Sequence, residues 1–527
     1  MNKQTGNDSI FGSRLHVALL LVILALGAGV RLWRMDDPPR DFWTIRQYHN
    51  AATARAMFYE GNPSVPAALK EVAARHKLWL AEPPVLEYVV SRVYRLMGEE
   101  RFWVARLFIG LAWMLGSVCL VLLARRMLSP DAALVAAGFY LLMPYSITAS
   151  RSWQPDPLMV SGVIATVFFT YRYFESRSPL RLLVAGLAAS ITTFLKPGGS
   201  ILTLCGVFGA LSWHERGFRR TLLGSPAWIF AILAVLPSLV AVSVAARLGL
   251  YEPGRHLMSY ISPRMLLTFF FWKGWLGILV QILTWPGLIL ALLGFAVFPR
   301  GRPLALAAGY AAGYAVFSLL CTFTTPNHDY WHLQLLPLAA LCVGAGSELL
   351  WTRLRGSMHA AWAKFAIPAA GVIFVLAVSL RTPCLSAPPP SQQRYIRMAR
   401  EIGEAVGHST RVITLDYDFS KSLRYFAEIS GPIWPETAVM EYDRATGKDR
   451  GSRGEPQWNT FDLSAPERFR LFYARRNPEY FVVARLLREL EDQPGLGAFL
   501  RENFRVLDKG ERYIIFDLRT AAERGSN

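Results

Sequence analysis

A chain of 527 residues is long enough for two or more soluble domains, yet 53% of these residues are hydrophobic, a share that suits a protein whose solvent is partly lipid. The 56 Lys and Arg against 38 Asp and Glu give a formal charge of +18. The basic residues are spread between apolar runs and form no basic domain, and no zinc-finger, helix-turn-helix or RNA-binding pattern occurs, so nucleic acid is excluded as a partner. The five cysteines (Cys119, Cys205, Cys321, Cys342, Cys384) lie mostly inside apolar runs at no metal-ligand spacing and read as core thiols.

A membrane helix needs about 20 mostly apolar residues, because every backbone polar group must be satisfied within the segment. By that rule spans are expected near 15–33, 103–126, 132–149, 157–174, 180–195, 198–213, 226–247, 277–298, 303–323, 331–350 and 364–381. The chain therefore reads as an α-helical polytopic membrane protein of about 11 spans. The two short spans between 180 and 213 meet at Lys196-Pro197-Gly198-Gly199, a helix break. The first run also has the small residues of a signal peptide, Ala25 to Gly29, and its cleavage would alter the span count but not the side of any later loop.

Loop charge gives the orientation. With the N-terminus inside, each inner loop is basic: Arg125 and Arg126; Arg172, Arg177 and Arg181; Arg216, Arg219 and Arg220; Arg300 and Arg302; Arg353, Arg355 and Lys364. The outer segments hold Asp41, Glu82, Glu87, Asp156, Glu252 and Asp329. An odd number of spans puts the C-terminal domain outside as well. Two outer stretches are long, 34–102 and 248–276. The first has amphipathic runs around 48–60 and 84–97 that suit helices lying along the membrane surface. The second is rich in aromatics and cations, among them Arg255, His256, Arg264, Lys273, Trp272 and Trp275.

The expected organisation is a membrane domain over 1–384 and a soluble, extracytoplasmic α/β domain over 385–527. Strands are expected at 411–415, 480–483 and 513–516, with helical runs through 422–429 and 486–490 between them. Asp416 and Asp418 read as turn residues. No glycine-rich phosphate loop or nucleophile elbow occurs there, so the domain is assigned no chemistry of its own.

Ionisable residues at membrane depth are costly and are functional candidates. Asp156, in Trp153-Gln154-Pro155-Asp156-Pro157, fits both a helix cap and a site residue. Asp41 is followed closely by Arg46, Gln47, Tyr48 and His49, a carboxylate beside basic and amide groups as a general base next to an anion patch requires. Glu82 precedes a proline pair, Lys196 sits at the helix break, and His328, Asp329, Tyr330 and His332 fill a short outer segment. Four outer segments thus offer carboxylates, imidazoles and cations to one compartment, which suits an active site at the membrane boundary for an anionic lipid substrate.

In order along the chain these motifs resemble the GT-C membrane glycosyltransferases, in particular the protein O-mannosyltransferase and aminoarabinose transferase group. They are Asp41, the Ala-x-x-Ala-Arg-x-Met run at Ala51–Met57, Pro83-Pro84 with Tyr88, Pro144 to Asp156, the Lys196 break, and His328 to Pro337. The resemblance spans roughly residues 15–350. It implies a sugar donor linked to polyprenyl phosphate in the cell inner membrane and transfer, with inversion, to a lipid, glycan or protein acceptor of the cell envelope. Asp41 would be the base and Asp156 the second acid, orienting the acceptor or a divalent metal ion. Lys196, His328, Arg46, Arg255, His256 and Lys273 would meet the donor phosphate, and Gln47, His49, Glu82, Tyr88, Asp329 and Tyr330 would orient donor or acceptor. Two departures stand out. Asp41 is followed by Phe42 where many relatives have an adjacent Asp-Glu pair, and counting back from the Arg-x-Met run puts the pair's place on Arg46-Gln47. Glu82 stands where a basic residue often precedes the prolines. The rival reading from another class is a secondary transporter or flippase for a lipid-linked or anionic substrate, with the break at Lys196 as its substrate site.

Overall fold

The computed structural model describes residues 13–76, 82–196, 198–248, 260–357, 377, 379–380, 382–446 and 463–521. The chain forms two compact units. One comprises Met1–Phe42, Leu80–Leu86 and Phe102–Ser386; the other comprises Trp43–Trp79, Glu87–Arg101 and Ala387–Asn527.

The first unit is helical. Its elements are α1 (Ser13–Leu32), then α5 (Phe102–Met127), α6 (Pro130–Leu142), α7 (Pro144–Ser150), α8 (Asp156–Ser176), α9 (Pro179–Leu195) and α10 (Ile201–Arg216). After these come α11 (Phe218–Leu223), α12 (Ser225–Arg247), α13 (Phe269–Ala296), α14 (Arg302–Leu320) and α15 (Leu336–Ser357), the last preceded by a 3-10 turn over Asp329–Leu335. Among the described residues seven helices are long and apolar enough to cross a membrane, or eight if the bent pair α6–α7 counts as one span. The protein is thus a multi-pass membrane protein. Each expected span from 15–33 to 331–350 has a helix, whereas 364–381 falls almost wholly outside the described residues.

Local chemistry explains the ends and the breaks. Ser129 caps α6 by accepting the Ala132 amide, with Pro130 in the first turn. Pro144 supplies no amide to continue α6, so the span bends by 57° and α7 starts a new helix. The expected span at 277–298 starts eight residues earlier, at Phe269, and takes Trp272, Lys273 and Trp275 into α13. Small residues let the helices approach closely. A Cβ on Gly309 would lie 2.4 Å from the Gly206 carbonyl oxygen at the α10–α14 contact, and one on Gly294 would lie 1.7 Å from that of Cys342 at the α13–α15 contact. At the end of α8 away from Asp156, Arg126 pairs with Glu175, and Glu215 takes both Arg177 and Arg302. All five cysteines are unpaired.

The second unit holds α2 (Thr44–Glu60), α3 (Ala67–His76), most of α4 (Val85–Met97), α16 (Pro390–Ala405), α17 (Lys421–Ala427), α18 (Thr437–Thr446) and α19 (Leu496–Asn503). Its sheet has the order β1-β2-β4-β3, with β1 (Val412–Leu415) parallel to β2 (Tyr480–Ala484) and the pairs β2–β4 and β3–β4 antiparallel; β3 is Phe504–Lys509 and β4 is Tyr513–Ala521. Both faces are covered, which is why β1 and β2 are buried at every residue. Ile413, Phe481, Val483 and Phe516 pack with Trp434, Tyr473 and Leu500 on one side; Val412, Val482 and Ile515 pack with Ile402, Val406 and Leu423 on the other. The three expected strands are present, and β3 is an additional, mostly exposed edge.

The run at 48–60 is helical, within α2, where Gln47, Tyr48, Asn50 to Ala54, Ala56 and Phe58 are all buried. Tyr48 packs on Tyr425 and Phe426 of α17, each at 5.3 Å between ring centroids. One expectation changes here. Asp416 is more than a turn residue, since it is 1% exposed and accepts from Arg485 at 2.6 and 2.7 Å and from the Tyr395 hydroxyl at 3.0 Å.

Candidate active site

The bend between α6 and α7 turns the chain into Arg151–Pro155, and α8 starts directly after it with Asp156 in its first turn. A carboxylate at a helix N-terminus meets the positive end of the macrodipole. Asp156 is fully buried. Its partner is Lys196, which caps the C-terminal end of α9 where the helix breaks. The Lys196 ammonium lies 2.7 Å from Asp156 Oδ1 and 2.7 Å from Glu82 Oε1. One buried cation therefore joins two carboxylates, and the trio carries a formal charge of −1. Of its two acids, only Glu82 keeps some exposure, 18% of its side chain against none for Asp156.

The 329–335 turn closes over this trio. The Tyr330 ring lies 5.4 Å from the Lys196 ammonium, and the His328 ring sits 5.6 Å from the Tyr330 ring. Asp329 accepts from the Gln281 amide at 3.0 Å, and the Tyr145 phenol faces both Asp329 and Asp156. The second histidine of the motif is structural: His332 is buried between the Tyr314 hydroxyl at 2.5 Å and the Thr325 carbonyl at 2.9 Å.

Asp41 lies in the same unit, across the 151–155 turn, where Gln154 donates to the Phe42 carbonyl at 2.8 Å. Burial pushes the Asp41 carboxyl above its ordinary range, and Arg106, Arg40 and Arg151 partly offset that. These arginines are fixed by backbone oxygens. Arg106 donates to the carbonyls of Asp37, Met35 and Arg151 at 2.5, 2.6 and 3.1 Å. Arg151 donates to Val30 and Arg31 at the end of α1, at 2.5 and 3.0 Å. Arg40 donates to Pro383 and Ser386 at 2.8 and 2.5 Å.

The structure thus brings Asp156, Lys196, Glu82, Tyr330, His328 and Asp329 together, and it places Asp41 beside Arg40, Arg106 and Arg151, next to Phe42, whose carbonyl accepts from Gln154. It places Arg46, Gln47 and His49 on α2 and Tyr88 on α4, in the second unit; Gln47 is fully buried and Tyr88 is exposed beneath Arg92. Lys273 is exposed on α13, and Arg255 and His256 lie outside the described residues. Sequence reasoning missed Tyr145, Gln281, Arg106 and Arg151. An arginine inside the apolar run at 103–126 was the available signal for Arg106. Among the described residues no three His, Cys, Asp or Glu side chains converge as a metal site. Asp156 and Glu82 already share the Lys196 cation, so this trio does not fit a divalent ion as well.

Residues 81–245 match the family model described as dolichyl-phosphate-mannose-protein mannosyltransferase. The fold is similar to ArnT from Cupriavidus metallidurans, solved bound to undecaprenyl phosphate, with 15% identity, a TM-score of 0.58 and coverage of 95% of this chain and 97% of that one. It is also similar to the archaeal oligosaccharyltransferase AglB from Archaeoglobus fulgidus, solved with an inhibitory peptide and a dolichol-phosphate. That match has 11% identity, a TM-score of 0.60 and coverage of 94% of this chain and 73% of that one. No curated protein sequence matches the chain. The chain thus shares its fold with these two membrane glycosyltransferases, and its C-terminal part carries a small four-stranded sheet.

Proposed function

We propose that this protein transfers a sugar, hexose or pentose, from a polyprenyl-phosphate-linked donor to an acceptor hydroxyl, with inversion at the anomeric carbon. The reaction runs on the outer face of the cell inner membrane, the side to which the loop charges assign the C-terminal domain. The observation that carries the reading is the buried Asp156–Lys196–Glu82 trio under Tyr330, in a bundle with the GT-C fold.

Asp41 takes the proton of the acceptor hydroxyl as its oxygen attacks the anomeric carbon. The bond from that carbon to the phosphate oxygen breaks, and its electron pair leaves with the polyprenyl phosphate. A carboxyl pushed up by burial is a stronger base than an exposed one. Lys196 exchanges the partly exposed Glu82 for the donor phosphate while the fully buried Asp156 holds it in place. His328, edge-on to the Tyr330 ring, is the second group to face the developing charge, where positioned cations contribute most.

The test is sugar transfer from a radiolabelled polyprenyl-phosphate donor pool by purified protein. Wild type consumes donor, and Asp41→Asn lowers kcat by at least roughly a hundredfold with KM little changed, as expected for lost general-base catalysis. Asp156→Asn raises the donor KM. No consumption by wild type with any of several donor sugars would reject the transferase in favour of the transporter or flippase.

A further inference from the structure

The turn from α10 into α12 contains α11, a helix of 6 residues set between two glycines. Gly217 takes φ +80°, and a Cβ on Gly224 would lie 2.5 Å from the Arg220 carbonyl oxygen. The Thr221 hydroxyl lies 3.0 Å from that of Ser212 on α10, and the Trp228 indole of α12 donates to the Leu222 carbonyl at 2.7 Å. These contacts leave the apolar side chains of α11 outside the bundle. Phe218, Leu222 and Leu223, with Trp213 and Trp228 on either side in sequence, are each 50–75% exposed. At about 100° per residue Arg219 falls between Leu222 and Leu223, on the side away from Thr221. Arg219 and Arg220 are both exposed, and neither pairs with an acid among the described residues. Glu215, the acid nearest to them in sequence, is taken by Arg177 and Arg302 at 3.0 and 2.6 Å.

Exposed apolar side chains are costly in water, and arginines are costly in hydrocarbon. The headgroup layer of a bilayer suits both, because Trp, Phe and Leu sink to the acyl boundary while arginine reaches a phosphate. The surface is also continuous with one that faces lipid, since Ile229, Ile232 and Leu236 of the span α12 are exposed as well. We propose that α11, with Trp213 and Trp228, is a docking surface for anionic phospholipid, whose headgroup phosphate meets Arg219 and Arg220. Net negative charge is the discriminating feature. A basic residue at an anionic surface is worth roughly fivefold in affinity, and a zwitterionic headgroup offers it no net charge. The loop charges assign this end of the bundle to the inner leaflet. The proposal needs the membrane-spanning helices and nothing of the transferase reading.

The experiment measures lipid binding and needs no turnover. The thermal midpoint of the full-length protein in neutral detergent is followed against phosphatidylglycerol, with phosphatidylcholine as the zwitterionic control at fixed ionic strength. The test variant is Arg219→Gln/Arg220→Gln. Arg394→Gln/Arg397→Gln on α16 makes the same charge change on exposed arginines of the other unit. Phosphatidylglycerol is expected to raise the midpoint saturably in wild type and in the α16 variant, and phosphatidylcholine to do so much less. In the α11 variant the apparent affinity for phosphatidylglycerol should fall at least about tenfold. Lipid-free midpoints show whether each variant folds, and the single substitutions Arg219→Gln and Arg220→Gln serve if the double variant does not. Equal response to the two lipids, or equal affinity in all folded variants, overturns the proposal. So does a wild-type dimer in detergent that the α11 variant loses, which would give this face to a second copy of the chain.

Discussion

Removing the cation that joins Asp156 and Glu82 is the sharpest test of the site's architecture. Lys196→Met keeps the length of the side chain and deletes its charge. At 2.7 Å and an effective dielectric of about 20, each contact contributes roughly 6 kcal/mol of gross attraction. Repulsion between the two carboxylates and the desolvation of all three groups cancel most of this. What remains measurable is the penalty of leaving a buried charge without its counter-ion, about 3–5 kcal/mol. That is a large share of a total stability of about 5–15 kcal/mol. The assay is thermal or denaturant unfolding in detergent for wild type, Lys196→Met, Asp156→Asn and the double variant. Because Asp156→Asn removes the fully buried orphan, the double variant should recover a good part of the loss, a coupling of about 1–3 kcal/mol. A Lys196→Met protein within about 0.5 kcal/mol of wild type, or strictly additive single and double variants, would refute the bridging role.

Four further outcomes are expected. If Asp41 is the base, it works as the carboxylate, so kcat/KM is retained at higher pH and lost as pH falls through a value above the ordinary 3.8; Arg40→Gln, which removes a cation favouring the charged form, moves that acidic limb higher still. Glu436 is pushed up from 4.5 to about 7, by burial first and then by Glu489, Asp416 and Asp418. The folded state therefore binds the extra proton between those values, and stability falls as pH rises through the window. Glu436→Gln should raise the unfolding free energy at pH ~8 by about 1 kcal/mol after allowance for solvent screening, and change little at pH ~5. Arg55 meets Glu100 through Nε at 2.8 and 3.0 Å, donates to the Tyr425 carbonyl at 2.6 Å and stacks on the Tyr425 ring at 3.8 Å. Arg55→Lys loses the planar fork and should cost about 1.5–3 kcal/mol, seen as faster proteolysis around α2. Gly309→Val forces α10 and α14 apart and should cost about 1–3 kcal/mol in a detergent unfolding assay.

Which parts of this molecule are legible in its sequence follows from the range of the interaction involved. A membrane helix is specified by about 20 neighbouring apolar residues, so its existence is local information, and α1, α5, α8 and α12 fall where hydropathy puts them. Strands β1, β2 and β4 are legible for the same reason, being short β-branched and aromatic runs buried on both faces. Strand β3, Phe-Arg-Val-Leu-Asp-Lys, is an exposed edge whose only signal is its pairing with β4, so it escapes a local reading. Helix α2 is polar in composition yet buries 9 of its 17 residues, with Tyr48 packed against Tyr425 and Phe426 of α17, more than 350 residues away. The site divides along the same line. Residue types announce themselves singly: Asp156 before a proline, Lys196 at a break, Glu82 before Pro83-Pro84. Nothing local says that Lys196 serves residues 40 positions back and, in Glu82, 114 positions back. The arginines around Asp41 are harder still to foresee, since Arg40, Arg106 and Arg151 all donate to carbonyl oxygens, which every residue owns and no sequence motif marks. A resemblance in motif order supplies the chemistry to look for, while the pairing of the charges decides what each residue is free to do. On the proposed reading, that pairing means Lys196 must release one acid before it meets a phosphate.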